Sequence, residues 1–174
     1  MSSPARIRDL ETTELEAYIA LRQESLADSP LSFGAAPDTD RLSDAGFLEG
    51  LIANSDYQLL LVAERDGRLI GSASALRANG AKRGHRADVY AMYVTPSERG
   101  RGVARALMQT LLERLRAWGV ERVDLSVTDV APAAQALYRS LGFVEWGQDP
   151  DSLRWEGRST VEHHMTLRWT ADEA

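Results

Sequence analysis

The chain has 174 residues, with 20 Lys+Arg against 26 Asp+Glu and a formal net charge of −6. This length suits one domain, residues 1–174, and 44% hydrophobic with 26% charged residues is a globular balance that excludes a disordered chain. The absence of cysteine, with three histidines, excludes disulfides, thiolate metal sites and cysteine nucleophiles and leaves no metal expected, while the acidic balance argues against nucleic acid as a partner.

In chain order, Arg6-Ile7-Arg8 reads as a short strand. Thr13 with Glu16 three residues later forms a capping-box pattern that opens a helix carrying Leu15, Tyr18, Ile19 and Leu26. Ser29-Pro30 stops it, and residues 30–41, with Pro30, Gly34, Pro37, Asp38 and Asp40, read as a loop. A weaker helix follows over Ser43–Asn54. Gln58–Glu64 and Leu69–Leu76 are apolar runs separated by Arg65-Asp66-Gly67-Arg68, a hairpin signal. The longest apolar run, Leu59–Ala63, falls far short of the ~20 residues of a membrane helix. Residues Met1–Asp9 lack the apolar core of a signal peptide, so no membrane partner is expected, and the expectation is a soluble, cytoplasmic protein.

Ala87–Thr95 reads as a third hairpin-linked strand, ended by Pro96. Val103–Trp118 is the clearest helix, with Val103, Leu107, Leu111, Leu115 and Trp118 on one face and Gly119 at its C-terminal end. Val123–Thr128 is a strand, and strand-helix-strand over this length implies a parallel, right-handed crossover. Pro132 opens a helix that Gly142 closes. Phe143–Trp146 and Val161–Trp169 read as two final strands around a polar Asp/Pro/Gly loop. The sum is an α/β domain with a mixed sheet.

The stretch that carries chemistry runs from Val94 through Arg99-Gly100-Arg101-Gly102 into Val103, Ala104 and Arg105. A strand end, two glycines flanked by arginines and a helix start make an anion site, because free amides and the positive end of the helix dipole converge there. A glycine turn with solvated arginines is the plainer alternative. The P-loop pattern is absent, and Arg105 stands where a dinucleotide fingerprint needs its third glycine.

Arg99-Gly100-Arg101-Gly102-Val103-Ala104 resembles the Gln/Arg-x-x-Gly-x-Gly/Ala signature of the GNAT superfamily of N-acetyltransferases. Ala134-x-x-Leu137-Tyr138-x-x-x-Gly142-Phe143 is similar to that family's second signature. The match is strongest over residues 87–146. It implies a mostly antiparallel mixed sheet, splayed where strand 87–95 meets strand 122–128, with helices on both faces and acetyl-CoA as cosubstrate in the split. Backbone groups of Met92, Tyr93 and Val94 would meet the pantetheine arm. Amides from Gly100 to Arg105, with Arg99 and Arg101, would hold the pyrophosphate. Many members carry an asparagine seven residues before the motif tyrosine; here that position is Ala131.

The resemblance implies transfer of an acetyl group to a primary amine, on a small molecule or a peptide, by direct attack, with a homodimer left open. Tyr138 would protonate the leaving thiolate. Asp88 occupies the position of the carboxylate base in relatives that use one, against a solvated strand-end charge as the alternative. A non-catalytic acyl-CoA-binding or sensing module of the same fold is the competing function. His163 and His164, adjacent on a strand, should point to opposite faces. Trp146, Trp155 and Trp169 read as core or rim packing, and Arg83 and Arg86 as solvated loop cations, with contact to the cofactor's outer phosphate as the alternative. Asp149, Asp151, Glu156 and Glu162 read as surface charge near the acceptor side, whose sign favours a cationic acceptor.

Overall fold

The computed structural model describes residues 3–169. Seven strands form one sheet in the order β1-β2-β3-β4-β5-β7-β6. They are β1 (Arg6–Asp9), β2 (Gln58–Arg65), β3 (Arg68–Arg77), β4 (Arg86–Val94), β5 (Arg122–Thr128), β6 (Val144–Trp155) and β7 (Arg158–Arg168). Every neighbouring pair is antiparallel except β4–β5, which the helical crossover between them makes parallel.

Four α-helices cover the sheet: α1 (Leu15–Asp28), α2 (Ala45–Ala53), α3 (Val103–Ala117) and α4 (Pro132–Ser140). The period-two alternation of β2 shows how the layers form. Leu59, Leu61 and Ala63 face one core with Leu107, Leu111 and Leu115 of α3, while Leu60 and Val62 face a second with Tyr18 of α1 and Leu48 of α2. With both faces covered, β2 reads as a continuous apolar run. Leu107, Met108, Leu111 and Leu115 are fully buried, as the three-to-four spacing of α3 requires. No helix among the described residues is long and apolar enough to cross a membrane.

Several boundaries differ from the sequence reading. The cap before α1 lies two residues earlier than Thr13/Glu16: the Glu11 amide reaches the Glu14 carboxylate at 3.4 Å, and the one-turn segment Thr12–Glu14 leads into the helix. Asp44 caps α2 by accepting from the Phe47 amide at 2.7 Å, so that helix starts at Ala45. The larger difference is at the C-terminal end. The polar loop expected between two short strands is itself strand, and β6 and β7 form one long hairpin turning at Glu156-Gly157, both with positive φ. Ladder hydrogen bonds do not require apolar side chains, and β6 is an edge strand. Pro150 and Asp151 are accommodated at a register shift between Pro150 and Arg154, where a bulge tolerates a residue without an N–H.

Candidate active site

The parallel pair is in register over Arg86↔Arg122, Ala87↔Val123 and Asp88↔Asp124, and there it stops. Beyond Asp88 the two strands part, and a cleft of about 1050 Å³ opens between Val89–Val94 and Leu125–Thr128. The expected splay is present, with its vertex at Asp88 and Asp124.

A bulge shapes the β4 wall. Ser72 pairs with Tyr93 and Ser74 with Tyr90, so one residue of β3 is opposed by two of β4, Ala91 and Met92. Ala91 has φ +52°, a left-handed conformation that costs an alanine roughly 1–2 kcal/mol, and the Ser72 hydroxyl donates to its carbonyl at 3.3 Å. The bulge takes this backbone out of the ladder beside the cleft, which Met92, Tyr93 and Val94 all line.

At the end of β4 the chain passes through the one-turn segment Pro96–Glu98 into the glycine turn. Gly100 and Gly102 have φ of +74° and +80°. A Cβ at either would meet nothing within 4 Å, so backbone conformation, not crowding, calls for glycine. Gly102 precedes α3 without any side-chain cap. The first helical bond runs from the Ala106 amide to the Gly102 carbonyl, leaving the amides of Val103, Ala104 and Arg105 without helical partners beside the cleft.

The arginines divide. Arg99 lines the cleft, but its Nε donates to the Val94 carbonyl at 2.9 Å, its guanidinium is paired with Asp28 of α1, and it lies 5.5 Å above the Tyr93 ring. It braces the turn against α1. Arg105 also lines the cleft and donates to Ser140 Oγ of α4 at 2.8 Å. Arg101, expected with the phosphate contacts, stands off the cleft: it is half exposed and lies 3.7 Å from Glu98. An i,i+3 partner in the preceding turn draws it away.

The sequence reading also missed Glu24 of α1. Its carboxylate accepts from the Tyr93 hydroxyl at 3.0 Å and from Thr95. Burial and that carboxylate push the Tyr93 phenol well above its usual value. Glu24 and Asp28 lie one helical turn apart, and no motif marks them.

Tyr138 enters from α4, on the face of the sheet that packs against α3. It is 6% exposed, its ring 5.9 Å from that of Phe143, and it lines the cleft beside Leu137 and Ala131. Burial pushes its phenol up to about 12, so the hydroxyl keeps its proton at neutral pH. Asp88 lies on the opposite face. Although Asp88 is exposed, partial desolvation in the cleft raises its carboxyl above the usual range, the Asp124 charge adds to this, and Arg86, Arg83 and Arg122 offset part of it. Arg86 and Arg122 each lie 2.9 Å from Asp124, so Arg86 serves this pair. Burial alone would raise Asp124, but those two hydrogen bonds hold it below its usual value. Asp88 therefore carries the free carboxylate of the two, and it faces the cleft.

On the Asp88 face, Ser126 and Thr128 of β5 stand opposite His164 and Glu162 of β7, and all four line the cleft with Trp146. His163 points to the other face, 3.1 Å from Glu145, so the two histidines separate as period two requires. Trp169 packs at the core edge, whereas Trp146 is 61% exposed and stacks on His164 with ring centroids 5.3 Å apart. Arg22, Phe33 and Leu42 close the cleft from the α1–α2 side.

Residues 18–143 match the model of the acetyltransferase (GNAT) family. The chain belongs to this family. Its GNAT fold is similar to that of the GNAT-family acetyltransferase from Streptococcus pneumoniae, with a TM-score of 0.84 at 21% identity over 95% of this chain and 100% of that one. A GNAT superfamily phosphinothricin acetyltransferase from Sinorhizobium meliloti, in complex with acetyl-CoA, aligns with a TM-score of 0.82 at 23% identity, covering 95% of this chain and 89% of its own. In sequence, the chain is 34% identical over 149 residues to a mycothiol acetyltransferase from Thermobispora bispora, covering 83% of this chain and 48% of the relative. The chain spans about half the length of the curated relatives it matches.

Proposed function

We propose that this GNAT protein is an acetyl-CoA-dependent N-acetyltransferase that moves the acetyl group to a primary amine by direct attack. The observation that carries the reading is the joining of three features on one cleft: the glycine turn with open α3 amides, the bulged β4 backbone and the buried Tyr138. The turn and the helix dipole suit a pyrophosphate, and the bulged strand offers backbone groups to an extended pantetheine arm. The residues present fit the cosubstrate, with Ala131 in place of a polar side chain as the one lost contact.

The chemistry has a definite requirement. An alkyl amine near pKa ~10.4 is almost entirely protonated at neutral pH, so a base must take its proton before nitrogen attacks the thioester carbonyl. Asp88, directly or through a water, fills that role. The C–N bond forms, the C–S bond breaks, and the departing thiolate takes a proton from Tyr138. Tyr138 and Asp88 face the split from opposite faces of the sheet, which suits an acid and a base acting on either side of a thioester between the strands. The mycothiol acetyltransferases among the relatives favour a small-molecule acceptor.

The test is release of free thiol from acetyl-CoA across a panel of amines. The protein has no cysteine and contributes no thiol background. Amine-dependent release supports the reading. CoA binding without turnover of any amine would replace it with the acyl-CoA-binding module.

A further inference from the structure

The α1–α2 layer packs over β2 and β3, and the one-turn segment Pro30–Ser32 reaches across to β5 and β6. On that face the β5-β7-β6 part of the sheet presents polar and aromatic side chains to the cleft. The carboxylates of Asp149 and Glu162 and the His164 ring come together there, with one polar atom of each within 4.8 Å of the others. Asp149 and Glu162 are register partners across β6 and β7. Of the four acids after residue 148 among the described residues, these two form the cluster, while Asp151 is tied to Arg154 and Ser159 near the hairpin tip and Glu156 lies in the turn.

Glu162 accepts from the Ser152 hydroxyl at 2.8 Å, a neutral donor that does not compensate its charge. Among the described residues, no Lys or Arg pairs with Asp149 or Glu162. The cleft's cations are engaged elsewhere, Arg22 with Asp40, Arg86 with Asp124, Arg99 with Asp28 and Arg105 with the Ser140 hydroxyl. A second feature points to a ligand at the same place. Thr128 stands opposite Glu162, lines the cleft and is 2% exposed, yet its hydroxyl has no hydrogen-bond partner. Buried hydroxyls are normally satisfied. Beside them, Trp146 stacks one face on His164, whose Nδ1 lies 2.8 Å from the Ser126 hydroxyl, and the tryptophan remains largely exposed.

We propose that Asp149, Glu162 and the Trp146–His164 pair form a subsite for a second alkylammonium group of the acceptor, its reacting amine lying toward Asp88. The carboxylates supply charge-assisted acceptors, and the indole supplies apolar and cation–π surface for a methylene chain ending in an ammonium. From Asp124, opposite Asp88, to Thr128, opposite Glu162, is four residues of β5, about 13 Å along the strand. An extended chain of several methylenes, inclined between the two sites, matches that span. The acetylated nitrogen rests on the acetyltransferase reading; the binding of the second ammonium does not.

The closing experiment titrates CoA-saturated protein calorimetrically with hexamethylenediamine and with hexylamine, and measures thiol release with both. The diamine should bind at least about tenfold tighter, the worth of one charge-assisted contact. Glu162→Gln should bring it to the level of the monoamine while leaving the monoamine unchanged, and Trp146→Ala should weaken it about two- to fivefold. A lysine-containing peptide tested alongside shows whether the second charge comes from a side chain or a free polyamine. Equal affinities, or a preference that survives Glu162→Gln, overturn the subsite, as does Mn²⁺ binding that Asp149→Asn and His164→Ala abolish. Glu162-dependent diamine binding, with no thiol release from it or from any amine of the panel, keeps the subsite and removes the acetyltransferase reading. Equal turnover of both amines does the reverse.

Discussion

Tyr138 and Asp88 are set apart by their surroundings. The phenol is buried with no charged neighbour and holds its proton to about 12, whereas the carboxyl is raised by partial desolvation and by Asp124. Tyr138→Phe keeps the ring and its contact with Phe143. It should lower kcat by about 10²–10⁴ while CoA affinity by calorimetry and Tm stay near wild type. A fall in Tm with kcat preserved would assign the hydroxyl to packing instead. For Asp88 the sign follows from its role. A base must be ionised, so kcat/KM should be present above its folded pKa and fall as pH drops through it, at a pH above the ordinary aspartate value. Asp88→Asn should lower kcat/KM by roughly 10² and abolish that acidic limb. A limb retained in the variant assigns it to another group.

Among the elements, the turn into α3 holds two left-handed residues in three. Gly102→Ala and Gly102→Glu impose the same backbone strain, roughly 1–2 kcal/mol, and neither Cβ meets a neighbour within 4 Å. Both should lower Tm equally. The glutamate also puts a carboxylate at the open amides, and it should lose CoA affinity at least tenfold beyond the alanine variant. Equal CoA affinity in the two variants would remove the turn from phosphate binding. The bracing of this turn by Asp28, and of β4 by Glu24, gives α1 a second task beyond covering the sheet. Its C-terminal end holds both the strand and the loop that flank the cleft.

Across the whole molecule, the α1–α2 layer is joined to the long loop before α2 by a buried ion pair. Arg22 donates to Asp40 through Nε and Nη2, each at 3.0 Å, with side-chain exposures of 7% and 3%, and its guanidinium lies 4.8 Å over Phe33. Burial pushes the Asp40 carboxyl up, but the bonds from Arg22 and Ser43 more than offset this and leave it below its usual value. Such a depressed pKa contributes stability that is present above the unfolded value of 3.8 and is lost as pH falls through the folded one. Asp40→Asn should cost about 3–5 kcal/mol at neutral pH, because it leaves the guanidinium buried without its charge partner. Chemical denaturation at a series of pH values should show the gap from wild type closing below pH 3.8. A gap independent of pH would mean that shape, not charge, holds the two segments.

The sequence by itself determined the element order, the crossover that makes β4 and β5 parallel, the glycine turn and the second motif around Tyr138. Each is a local signal: apolar periodicity, a helix cap, a conformation open to glycine. It did not reveal the length of the β6–β7 hairpin, because strand pairing through backbone groups leaves no apolar trace on a polar edge. Nor did it reveal the left-handed Ala91, since alanine does not announce positive φ. The tertiary structure alone decided which charges are free. Arg99 and Arg101 read alike in the motif, yet one braces α1 and the other turns to Glu98. Asp88 and Asp124 stand side by side, yet two arginines take one and leave the other facing the cleft. Asp149, Glu162 and His164 came together only when β6 and β7 paired. Charge compensation depends on neighbours distant in sequence, and only folding brings them within reach.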